Sequence, residues 1–190
     1  VITQNCGVVA DSSVYQIANP EGTKMFGDPL LTLCYSDHFV VRATYDDADL
    51  LDEHLALGGY LSEDNQAALL SRAEEVWAFF INVMGFKPPY ENQETRYKVN
   101  LNISDYGYLS GGTFDGGSDG WPLGQHPFVQ MLHEATEGYG ALAHEFSHSL
   151  QNMVNGADWF EFGGWISESH AEYMRYQFEG YNNRPDDGCS

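Results

Sequence analysis

Positive charge is what this chain has least of. Its 190 residues include 8 Lys+Arg against 28 Asp+Glu, a net charge of −20 at pH 7. Such a surface repels a nucleic-acid phosphate backbone, which removes that class of partner. The bland consequence is a highly soluble surface; the sharper one is a preference for cationic partners or divalent ions. Cysteine is scarce as well. Cys6, Cys34 and Cys189 match no zinc-knuckle or redox-pair spacing. Three suit one disulfide and one buried thiol, and a Cys6–Cys189 bond would tie the two ends together. No apolar run approaches the length of a membrane span. The chain opens Val1-Ile2-Thr3, with no methionine and no charged-then-apolar leader. The expectation is a leader already removed, or a trimmed chain. Scarce lysine, many aromatics and a disulfide point to a secreted protein.

What is present is a globular composition, 43% hydrophobic and 14% aromatic, in a length that suits one domain with a substantial core. Residues 1–60 read as strands and turns, with 30–35 and 38–45 rich in β-branched and aromatic side chains. Residues 63–84 read as a backing helix. Ser62 is its N-cap, and Leu69, Leu70, Ala73, Val76, Trp77, Phe80 and Met84 form one apolar face. Gly85 ends it and Phe86 supplies the apolar contact beyond. Residues 97–104 alternate apolar and polar side chains like a half-buried strand. They contain the sequon Asn102-Ile103-Ser104. Residues 106–121 are rich in glycine and aromatics and suit an edge strand running into a loop. Within them Asp115–Gly120 is similar to a calcium loop but lacks the oxygen ligand at the third position. A glycine turn is the expectation there, with Ca2+ the alternative.

Residues 143–151, AHEFSHSLQ, carry His144-Glu145-x-x-His148. With 7 His and 14 Glu in the chain, roughly 0.02 accidental matches are expected. Residues 136–155 suit a helix. At 100° per residue from His144, His148 falls at about 40° and Gln151 at about −20°. Leu142, Phe146, Leu150 and Met153 fall on the opposite side, between about 160° and 240°. Two imidazoles one turn apart reach a single zinc ion, while Glu145, offset to about 100°, contacts a water at its open position.

A catalytic zinc takes three protein ligands. Val154 and Gln151 exclude a third histidine of the metzincin kind. Glu168 is the favoured third ligand: with Glu172 it shares a face of a helix over 164–180, while Ile166, His170 and Met174 point the other way. Glu172 is placed to orient a histidine through its second nitrogen, with Arg175 beside it. Asp158, ten residues past His148, is the alternative ligand, an arrangement similar to aspartate-ligated zincins.

His144-Glu145-x-x-His148 followed by Glu168-x-x-x-Glu172 resembles the gluzincin, or thermolysin-like, metallopeptidases, with Glu where that pattern has Asp. The Trp165-x-x-Glu168-Ser169-His170-Ala171 stretch is similar to a motif of uncharacterised secreted proteins of that clan. The resemblance spans residues 61–180. It implies an α+β, zincin-like fold: a small twisted, mostly antiparallel sheet, a backing helix, a motif helix and a glutamate-bearing helix. It also implies one catalytic Zn2+ held by His144, His148 and Glu168, with Glu145 as general base. The expected activity is a secreted zinc endopeptidase acting on a protein or glycoprotein. Alternatives are a zinc hydrolase of a glycan bond, with Trp121, Trp159, Trp165, Tyr106 or Tyr108 stacking on sugar rings, and a zinc-containing binding module. The family's oxyanion-stabilising residue is not assigned; Tyr106, Tyr108, His126, His133, Tyr173 and Tyr176 are the candidates.

Overall fold

The computed structural model describes residues 5–6, 23–24, 32–44, 48–56, 58–89, 96–104, 109–115, 125–153 and 164–182. The strands are β1 (Asn5–Cys6), β2 (Thr23–Lys24), β3 (Thr32–Tyr35), β4 (Phe39–Thr44), β5 (Arg96–Tyr97), β6 (Val99–Ser104), β7 (Ser110–Asp115) and β8 (Gln125–Leu132). The helices are α1 (Ala48–Leu55), α2 (Glu63–Trp77), α3 (Gly140–Met153) and α4 (Gly164–Asn182). Six strands form one sheet in the order β1-β3-β4-β6-β8-β7, and β2 pairs with β5 separately.

The fold is α+β, and its main sheet is mixed. The inner pairs β4–β6 and β6–β8 are parallel, and the outer pairs β1–β3, β3–β4 and β7–β8 are antiparallel. A helical crossover explains the β4–β6 pair: α1 and α2 lie between these strands in the chain, and a parallel pair needs such a return, whereas β7 lies between β6 and β8. This placement corrects the half-buried reading of 97–104. Strand β6 is buried at every position except Asn102, which is half-buried; Asn100 is fully buried and donates to the Pro127 carbonyl at 3.2 Å. The sequon lies in this strand, with Ile103 and Ser104 buried, and not on a surface loop.

The core lies between the sheet and the helices. Phe39, Val41 and Ala43 of β4, Val99, Leu101 and Ile103 of β6, and Val129 and Met131 of β8 form one cluster with α2, α3 and α4. Every second residue contributes, as strand geometry requires. Trp77, Phe80 and Phe146 bring rings together at this centre, 5.8 and 6.0 Å apart from Phe146. Cys34 is buried and disulfide-bonded, and the β1–β3 register sets Cys6 opposite it. Cys189 lies outside the described residues.

The backing helix has the expected span but not a uniform winding. After Trp77 it continues as π-helix over Ala78–Val83. Gly85 follows with φ 76°, a left-handed conformation that glycine adopts at no steric cost. The Phe86 N–H then bonds back to the Phe80 carbonyl at 3.0 Å. Ser62 occupies the N-cap, yet its hydroxyl caps nothing.

Candidate metal centre

Helix α3 forms because its apolar stripe has a core to meet: Leu142 and Phe146 are fully buried and Leu150 nearly so. Its first residue is Gly140, later than the expected start; residues His133–Glu137 form a 3-10 turn instead. That turn is pinned to α2. Arg72 Nη2 donates to the Thr136 carbonyl at 2.5 Å, and Tyr139 Oη donates to Glu75 Oε2 at 2.9 Å. The pinning fixes the entry of α3 and so the direction of its imidazoles.

Helix α4 packs beside α3 through Ala171, Met174 and Phe178, all buried. His170 on the same side is half-buried, but Ile166 is 53% exposed, so the inward stripe starts later than its spacing suggested. On the side toward α3, Glu168 comes to the two histidines. His144 Nε2 lies 3.0 Å from Glu168 Oε2, His148 Nε2 lies 3.3 Å from Glu168 Oε1, and the two Nε2 atoms are 3.3 Å apart. A zinc ion with bonds of about 2.0–2.1 Å in a tetrahedral shell holds its ligand atoms about 3.3–3.4 Å from one another. The donor set of two imidazoles and a carboxylate therefore fits zinc in chemistry and in spacing. It is the one group of three or more His, Cys, Asp or Glu found with converging ligand atoms among the described residues.

A second layer holds these donors. His144 Nδ1 lies 3.1 Å from Glu172 Oε2. The other Glu172 oxygen meets Arg175 Nη1 at 3.2 Å, and Arg175 Nε donates to Glu179 Oε1 at 3.0 Å. Arg175 is buried, so its charge is matched by two carboxylates instead of water. His148 Nδ1 is 2.9 Å from Gln151 Oε1 and 3.1 Å from Ser167 Oγ. Burial holds the His148 imidazole below its usual pKa, against the opposing pull of Gln151 and Glu168. That favours the neutral ring a metal requires.

Glu145 differs from Glu168 in exposure: it is 6% exposed, where the Glu168 side chain is 64% exposed. Burial pushes its carboxyl up to about 7; His144 pulls the other way and Glu168 adds to the rise. No hydrogen-bond donor among the described residues offsets the burial. Strand β7 lies directly over this turn. A Cβ on Gly111 would sit 1.7 Å from the Glu145 backbone oxygen, and one on Gly112 would sit 2.7 Å from Asn152 Nδ2. The glycine pair in Ser110-Gly111-Gly112 is what lets the sheet's edge strand touch α3 at the Glu145 turn.

The other candidates divide among buried, exposed and undescribed positions. His126 is fully buried against Tyr97, and His133 packs its ring 4.6 Å from those of His54 and Tyr60. Tyr173, Tyr176 and Trp165 are exposed on α4. Asp158, Tyr106, Tyr108, Trp121, Trp159 and the 116–120 segment lie outside the described residues. The residues that sequence reasoning passed over are Ser167 and Gln151. The signal for Gln151 was present, since the helical wheel puts it on the imidazole face.

The fold and the cluster together define an α+β protein whose motif helix and following helix converge two histidines and a glutamate on one point. The chain belongs to the family of unknown function DUF6055, whose model matches residues 61–186. No curated protein and no solved structure matches it.

Proposed function

We propose that this chain is a zinc-dependent endopeptidase of the gluzincin kind, with His144, His148 and Glu168 as metal ligands and Glu145 as general base. The observation that carries the reading is the convergence of three ligand atoms 3.0–3.3 Å apart on one point. Two imidazole nitrogens and a carboxylate oxygen converging at this spacing are a donor set that suits a divalent cation. Zinc bound there supplies Lewis acidity, acidifying water and polarising a carbonyl.

The chain's own residues do the rest. Glu145 takes the proton of the attacking water and delivers it to the leaving amine. Glu172 and Arg175 hold His144 in orientation, and Ser167 and Gln151 hold His148. Strand β7 is the sheet edge, paired on one side with β8 alone. Its other side, unpaired among the described residues, offers backbone groups to an extended peptide, next to the Glu145 turn. A purely structural zinc site would have no use for Glu145. The disulfide at Cys34 supports an extracellular location.

A second reading, hydrolysis of a glycan linkage, draws on Trp165, which is 74% exposed on the helix that carries Glu168. One experiment separates the two. A diverse mixture of peptides and glycopeptides is incubated with the protein and products are read by mass spectrometry, with chelator and Glu145→Gln controls. Peptide cleavage abolished by both controls is the expected result. Zinc retained with only glycan products transfers the assignment to the second reading.

A further inference from the structure

Gln151 bridges the candidate metal centre to a residue that faces away from it. Its Oε1 lies 2.9 Å from His148 Nδ1 and accepts from Ser167 Oγ at 3.0 Å. Its Nε2 points to the Ser167 carbonyl at 3.4 Å and to His170 Nδ1 at 2.7 Å. The two ends of an amide look alike in shape but not in chemistry. A backbone carbonyl accepts and never donates, so the end facing Ser167 O is the NH2. The other end is then the oxygen, and it requires a proton on the atom it faces. That atom is His148 Nδ1. His148 thus carries its proton on Nδ1 and leaves the Nε2 lone pair pointing at the His144–Glu168 corner. Ser167 Oγ alone does not decide this, because a hydroxyl donates or accepts equally well.

We propose that Gln151, held by the Ser167 carbonyl and His170, is a positioning residue that locks His148 into its metal-binding tautomer before any metal arrives. The proposal rests on the zinc reading of the site. It goes beyond that reading by fixing the tautomer of His148 and by giving His170, which is not a ligand, a part in metal affinity.

The test begins on the metal-free protein. Two-bond proton–nitrogen NMR of the histidine rings distinguishes the tautomers directly, and the expected result is His148 as Nδ1–H. Gln151→Leu is the first variant. Its side chain fits the apolar cavity lined by Phe86, Leu150 and Met174 that Gln151 borders, so the fold should tolerate it. The variant should show both tautomers of His148 and a 10–100-fold weaker zinc affinity. Gln151→Glu keeps an acceptor facing Nδ1 and should retain the Nδ1–H tautomer, a rescue that a merely space-filling role would not produce. Should Gln151→Leu not fold, the wild-type spectrum and Gln151→Glu still decide the matter. A wild-type protein that binds zinc but has His148 as Nε2–H overturns the proposal and leaves the zinc reading intact. Unchanged tautomer and affinity in Gln151→Leu overturn it as well. A wild-type protein that binds no zinc overturns the reading on which it rests.

Discussion

Two histidine–glutamate clusters sit in this molecule and follow opposite rules. In the β3–β4 turn, His38 Nδ1 meets Glu74 Oε2 at 2.6 Å, while the Ser36 hydroxyl and the His38 N–H donate to Glu74 Oε1 at 2.6 and 2.9 Å. Lys98 Nζ donates to the Ser36 and Asp37 carbonyls, and the His38 ring stacks on Trp77 at 4.0 Å. Every acceptor there meets a donor. Burial would raise the Glu74 carboxyl, but the donors of His38 and Ser36 outweigh it and hold the group below its usual value. At the α3–α4 corner two imidazoles share one exposed carboxylate, and no hydrogen-bond donor among the described residues offsets the burial of Glu145. The first cluster is complete as it stands and pins the hairpin to α2. The second, on the function proposed above, is completed by a cation. Burial of a carboxylate is therefore no guide to its role; the count of donors around it is.

The contrast can be broken in four places. The largest effect is expected from Glu145→Gln, which should keep its zinc and lower turnover by about 10²–10⁴-fold in a peptide-cleavage assay. Next is Glu74→Ala at the other cluster. It strands His38 and the Ser36 hydroxyl in the interior and should cost about 3–5 kcal/mol in urea unfolding, with zinc affinity unchanged.

The third is a pH series on metal-free protein, where the two carboxylates act in opposite senses. The folded Glu74 carboxyl lies below its reference of 4.5, so its contribution is full above that pH and is lost as pH falls through the folded value. The folded Glu145 carboxyl lies at about 7 against the same 4.5. Between those values the native state keeps a proton that the unfolded chain releases, so stability declines as pH rises across the window, by up to about 3 kcal/mol. Glu145→Gln should remove that decline, and Glu74→Gln should remove the acid-side loss. The smallest effect is expected at the second layer. Glu172→Gln keeps an acceptor for His144 Nδ1 but loses the charge, and competition titration should find zinc bound about tenfold more weakly.

Much of this contrast was legible in the sequence on one side only. The opposed stripes of α3 follow from the positions of His144, His148, Leu142, Phe146 and Leu150, and Glu168 was picked out by spacing along α4. Local periodicity suffices for both. Glu74 and His38 gave no such signal, because their bond joins a turn to a helix 36 residues away. The His170 partner of Gln151 was hidden for the same reason. The burial of Asn100 went unread because alternation along 97–104 does not tell whether the polar side of a strand meets solvent. The glycine pair at Gly111 and Gly112 suggested an edge strand, but the reason for the glycines lies in the approach of α3 beneath them. The π-helical end of the backing helix follows from no residue type in Ala78–Val83.

The central claim is that His144, His148 and Glu168 form one zinc centre. Its most direct test is a zinc titration against a chromophoric competitor, run on the metal-free wild type and on Glu168→Ala. The account predicts one tightly held ion per wild-type chain and a large loss of affinity in the variant. No binding by the wild type, or the same affinity in both, would contradict it.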